Sequence, residues 1–122
     1  MIRLWLAIAG LGGLSSVAMG ALATHLVDDP KAAGLLQMGA LYGMVHAAAL
    51  IALIGFAQGR EPRRGAAVVA GWSFGVGIVL FSGRLFVLAL TGARQISWAT
   101  PIGVTALMLG WIALGFLAFR RR

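Results

Sequence analysis

Four apolar runs, at about 4–23, 39–58, 65–90 and 101–119, occupy nearly the whole of this 122-residue chain. A helix rises 1.5 Å per residue, so about 20 apolar residues cross the ~30 Å hydrocarbon core of a bilayer. In lipid every backbone N–H and C=O must find its partner within the segment, which leaves the helix as the form each run can take. The chain is therefore read as all-α: one integral membrane domain over 1–122, a four-helix transmembrane bundle with helices at about 4–25, 39–58, 65–90 and 101–119. Hydrophobic residues make up 61% of the sequence and charged residues only 11%, too few to clothe a soluble domain. There is no cysteine, which excludes disulfides and thiolate metal sites.

The formal net charge of +7 invites a nucleic-acid reading, but the positions of the charges oppose it. Arg3, Arg60, Arg63, Arg64, Arg120, Arg121 and Arg122 all fall at the N-terminus, the second connection or the C-terminus. Only Lys31 and Arg94 fall on the first and third connections. Basic residues at span ends set orientation, and this asymmetry predicts that both termini lie in the cytoplasm. Trp5 and Trp72 are then expected at the inner interface and Trp98 at the outer one. Lipids are the expected partners and nucleic acid is not. A start resembling a secretory signal, with Ala21-Leu22-Ala23 at its end, has an apolar stretch longer than the usual 7–15 residues, so no cleavage is expected.

Helix punctuation supports the spans. Asp28-Asp29-Pro30 reads as a cap followed by Pro in the first turn. It lies well before the second apolar run, which predicts a short interfacial helix over about 30–38. Thr100-Pro101 repeats the signal before the fourth span, and Glu61-Pro62 marks the second connection.

Membrane helices approach closely where side chains are small. Gly12, Ser16 and Gly20 on the first helix, Gly39 and Gly43 on the second, and Gly71 and Gly75 on the third are the expected packing positions. They serve either the bundle itself or a homo-oligomer. Polar residues at membrane depth are costly unless satisfied, so they mark the candidate site. Tyr42 and His46 are one turn apart on the face that carries Gly39 and Gly43. With His25, Ser82, Arg84 and Thr100 they form a predicted polar cluster in the outer half. The two histidines admit three readings: interhelical hydrogen bonding, a proton-linked or solute-binding role, or ligation of a cofactor such as haem. Arg84 either snorkels to the headgroups or pairs with Asp28 or Asp29. The carboxylates Asp28, Asp29 and Glu61 all lie in connections on opposite sides, and no catalytic acid pair or nucleophile elbow is present.

Four motifs carry a resemblance. They are Gly20-Ala21-Leu22-Ala23-Thr24-His25; Gln37 with Leu41-Tyr42 and His46; Leu80-Phe81-Ser82-Gly83 with Phe86 and Ala89-Leu90; and Thr100-Pro101-Ile102-Gly103 with Gly110-Trp111. In this order they resemble the YgdD-like family of small bacterial membrane proteins, domain of unknown function 423. The resemblance implies a four-helix protein of the bacterial inner membrane with histidines at the positions of His25 and His46, and brings no activity with it. Two residues depart from the family pattern: Arg84 replaces a small or uncharged residue, and Phe86 replaces a Tyr. The expected function is that of a non-enzymatic structural or accessory membrane protein, without metal or cofactor, contacting lipids or a larger membrane complex. The alternatives are a small solute or lipid transporter, dimeric or not, and a histidine-ligated cofactor protein.

Overall fold

A computed structural model describes residues 1–58 and 64–119, with the backbone alone at Arg64. Four membrane-length spans alternate in direction. They are α1 (Ile2–His25), α2 (Pro30–Ala57), a composite third span (Gly65–Thr91) and α5 (Ala99–Phe116). The third span consists of α3 (Arg64–Gly77), one π-helical turn (Ile78–Ser82) and α4 (Gly83–Thr91). The 26–29 and 92–98 connections define one side, here the loop side. The N-terminus and the end of α5 define the terminal side.

The start of α2 follows from local chemistry. The Asp29 carboxylate accepts the Ala32 N–H at 3.1 Å, and Pro30 occupies the first turn, where its missing donor costs nothing. The segment 30–38 is not a separate interfacial helix. It runs unbroken into the span, and Leu36 within it is fully buried in the bundle. No proline or cap signal separates Met38 from Gly39, so nothing in the sequence stops the helix there. At 28 residues α2 is about 42 Å long, more than the ~30 Å apolar core requires.

At the other end of the third span, Gly92 adopts φ 69°, and its N–H returns to the Leu88 carbonyl. This left-handed C′ glycine is a common helix stop, because other residues resist that conformation. Helix α5 begins two residues before Pro101 and ends at Phe116, short of the predicted 119.

The spans pack as two antiparallel pairs, α1 on α2 and α3 on α5, and α2 also lies along the third span. Phe74, Leu50 and Leu53 fill the centre and are almost wholly shielded. Close approach rests on small residues. A Cβ at Gly39 would meet the Phe86 ring at 2.7 Å, and one at Gly12 would meet Ile78 at 3.0 Å. Gly71 lies against the Trp5 indole, Gly75 beside Ile8, and Gly20 near Ala40. Trp5, near the start of α1, turns into the bundle and not outward. It is buried in the bundle and meets Trp72 edge to face at 6.1 Å, because Gly71 leaves room for its ring. Trp98 is exposed on the loop side.

Candidate functional site: polar ties within the membrane bundle

The deepest polar residue is His46, 16 residues into α2 and therefore about 24 Å along the helix from Pro30. It is buried, and both ring nitrogens have partners. Nδ1 lies 2.6 Å from the Tyr42 carbonyl, and the Trp111 indole N–H donates to Nε2 at 2.9 Å. A carbonyl only accepts and an indole only donates. These partners place the proton on Nδ1 and leave the lone pair of Nε2 for Trp111. The ring is thus held as a neutral imidazole of one tautomer. Aromatic rings enclose it: Tyr42 stacks at 6.0 Å, Phe74 lies at 5.8 Å, and Phe74 in turn meets Trp111 at 5.2 Å. Apart from this bond α2 and α5 touch little, so the His46–Trp111 pair ties two otherwise separate helices.

A second tie lies nearer the loop side. The π turn breaks the i→i−4 ladder, and the Gly83 N–H reaches back to the Ile78 carbonyl. On this turn, buried Ser82 donates from Oγ to the Gly39 carbonyl at 2.8 Å. A π turn inserts one residue into a helix and re-aims the side chains it carries. The Ser16 hydroxyl fills the space that a Gly43 Cβ would take, fully buried and without a partner among the described residues. Both serine hydroxyls approach the missing Cβ of Gly43, which makes the room for them.

Arg84 is the second residue of α4, just after this turn. It neither snorkels nor pairs with Asp28 or Asp29. It is 4% exposed, and Nε donates to the Ile96 carbonyl at 2.9 Å. The aspartates belong to the first connection, whereas the 92–98 connection supplies the Ile96 carbonyl that Arg84 meets.

The six predicted cluster residues therefore divide among separate places. Tyr42 and His46 adjoin at mid-depth, Ser82 meets Gly39, and Arg84 meets the third connection. Thr100 is half-buried in the first turn of α5. His25 is exposed at the end of α1, remote from His46 along the bundle. The two imidazoles do not share a site, and a metal at His46 Nε2 would have to displace Trp111. No cluster of three or more His, Cys, Asp or Glu residues forms among the described residues. Asp29 is engaged as a helix cap, and Glu61 lies outside the described residues.

Sequence reasoning missed Trp111 as a partner. The signal was an indole twelve residues into the fourth helix, where a span normally keeps tryptophan at its ends. The orphan hydroxyl of Ser16 and the π turn had no local signal.

The chain matches the family model described as "Protein of unknown function (DUF423)" over residues 19–104. It is 33% identical to a UPF0382 membrane protein of Haemophilus influenzae, with 97% of this chain and 95% of the relative aligned. It is 30% identical to the UPF0382 inner membrane protein YgdD of Escherichia coli K12, over 98% of this chain and 94% of that one. The membrane protein YwdK of Bacillus subtilis is 29% identical over 93% and 94%. No solved structure matches. The matched region contains the loop-side end of α1, all of α2, the third span with Ser82 and Arg84, and the start of α5. With four apolar spans and relatives named as membrane proteins along its whole length, the chain is an inner-membrane protein belonging to the DUF423 family.

Proposed function

We propose that this protein is a non-enzymatic accessory component of the inner membrane, acting through its lipid and protein contacts, with both termini in the cytoplasm. The observation that carries this reading is the engagement of His46. The one deep titratable side chain has both nitrogens tied to the bundle, which suits a structural imidazole better than a proton carrier or a ligand. Ser82 is tied in the same way, and Asp29 caps a helix. The seven basic residues at the N-terminus, second connection and C-terminus of the sequence support the cytoplasmic orientation.

Deletion of the gene, followed by native electrophoresis of membrane complexes and lipid analysis, tests the role. A shift in one complex or in a lipid ratio is expected, and an unchanged membrane would remove the support for an accessory role. Reporter fusions test the threading: a C-terminal fluorescent protein should light up, and an alkaline phosphatase at the same place should stay inactive. The reverse pattern would overturn the orientation.

A further inference from the structure

Arg84 is the one buried charge among the described residues, and nothing among them neutralises it. Its side chain is 4% exposed, and its one hydrogen bond among the described residues runs from Nε to the Ile96 carbonyl. That carbonyl already accepts the Ala99 N–H at 3.0 Å. Nη1 is shielded from solvent and has no partner. A guanidinium cannot shed its proton as a buried lysine or histidine can, so burial leaves it charged. A neutral carbonyl satisfies one donor and cancels no charge. Asp28 and Asp29 belong to the other connection, and no ion pair forms among the described residues.

Its surroundings add positive character. Helix α5 opens directly after the connection whose Ile96 carbonyl meets Arg84. Its N-cap, Trp98, makes no side-chain cap, so the positive end of an 18-residue helix is met there only by the backbone turn that takes the Ala99 N–H. Arg94, exposed on the same connection, is a second cation. The sequence places no Asp or Glu after Glu61.

We infer that Arg84, with Arg94 and the amino end of α5, forms a binding site for a phosphate oxyanion from outside the chain. The planar fork of an arginine suits two phosphate oxygens. Arg84 lies seven residues before the end of the third span, about 10 Å below it, and its Nε reaches the Ile96 carbonyl of the loop-side connection. This level is within reach of a phospholipid's phosphodiester, and exposed Ile96 and Trp98 give an apolar rim for its acyl chains. Inorganic phosphate is the other source of the same group. The inference does not depend on the accessory role, since a transporter with this buried arginine would need the same partner.

The test uses the full chain in nanodiscs of phosphatidylcholine, with and without phosphatidylglycerol, read by native mass spectrometry and by thermal unfolding. Arg84→Gln is expected to lower retained phosphatidylglycerol about tenfold, as loss of a charge-assisted contact implies. Arg121→Gln, which removes the same charge from the C-terminus, is expected to leave retention near the wild-type level. Equal losses in the two variants, or none in either, would overturn the site. Adding inorganic phosphate to phosphatidylcholine discs separates the sources. Stabilisation of wild type but not of Arg84→Gln, without selective lipid retention, would assign the site to free phosphate. Should Arg84→Gln fail to fold, Arg84→Leu sets an apolar side chain in the same interior and keeps the comparison readable. Wild-type headgroup and phosphate responses in Arg84→Leu would likewise overturn the proposal.

Discussion

A single hydroxyl can stabilise or burden a membrane helix, depending on whether an acceptor lies within reach, and Ser16 and Ser82 show both cases. Ser82 joins the third span to α2 through the Gly39 carbonyl, whereas Ser16 is buried just as deeply without a partner among the described residues. Interhelical hydrogen bonds in membranes average roughly 0.6 kcal/mol and reach about 1.7. Ser82→Ala should therefore destabilise by about that range, while Ser16→Ala should be neutral or stabilising because it removes an unsatisfied polar group. Unfolding of the two variants in mixed micelles reads the difference, and equal losses would contradict the partner assignments. The same logic governs His46 and Trp111. Truncating either one strands a polar atom of the other, so His46→Ala and Trp111→Phe should each cost about 1–3 kcal/mol. The double mutant should cost less than the sum of the two, and strict additivity in the cycle would deny the bond. His46 and Ser82 were legible in the sequence because polar residues in apolar runs demand partners. The partners were not, because a donor 65 residues away leaves no trace in local pattern.

Among the elements, those with chemical punctuation were legible and those made by packing were not. Asp29-Pro30 gave the start of α2 because a carboxylate and a missing N–H act within one turn. Asp29→Ala should cost about 1 kcal/mol and Asp29→Asn much less, as caps of this type do, and thermal unfolding reads the contrast. The 30–38 segment was misread as interfacial because hydropathy averages over a window, whereas helix continuation depends on the absence of a breaker. The π turn escaped because it is set where α5 comes closest. A Cβ at Gly103 would lie 2.6 Å from the backbone nitrogen of Phe81, inside that turn. Backbone cannot move aside as a flexible side chain can. Gly103→Ala should thus destabilise by about 1–3 kcal/mol or more, the range of core overpacking. Gly13→Ala on α1, where nothing lies within 4 Å, should be neutral or stabilising because alanine favours the helix. Loss of the contrast between these two substitutions would mean that α5 does not press on the π turn.

At the scale of the molecule, the four spans form two hairpins that have different reasons to exist. Each hairpin can insert alone, since every span satisfies its own backbone in lipid, and association follows as a second stage driven by packing and polar ties. The number of spans and their alternation were readable from hydropathy, because lipid imposes them. The pairing of α1 with α2 and α3 with α5 was not, because small residues occur on all four spans and do not name their partners. The join between the hairpins combines the contact of α2 with the third span, the Ser82–Gly39 bond and the His46–Trp111 bond. If that join is intrinsic, the chain need not be covalently continuous through its second connection. Residues 1–60 and 61–122, expressed as separate chains in one cell, should associate and copurify from mild detergent. His46→Ala in the first half or Trp111→Phe in the second should weaken that recovery severalfold, given about 1–3 kcal/mol per stranded polar group. Ser16→Ala should leave it unchanged. Halves that insert but never copurify would show that the connection, and not the polar seam, holds the bundle together.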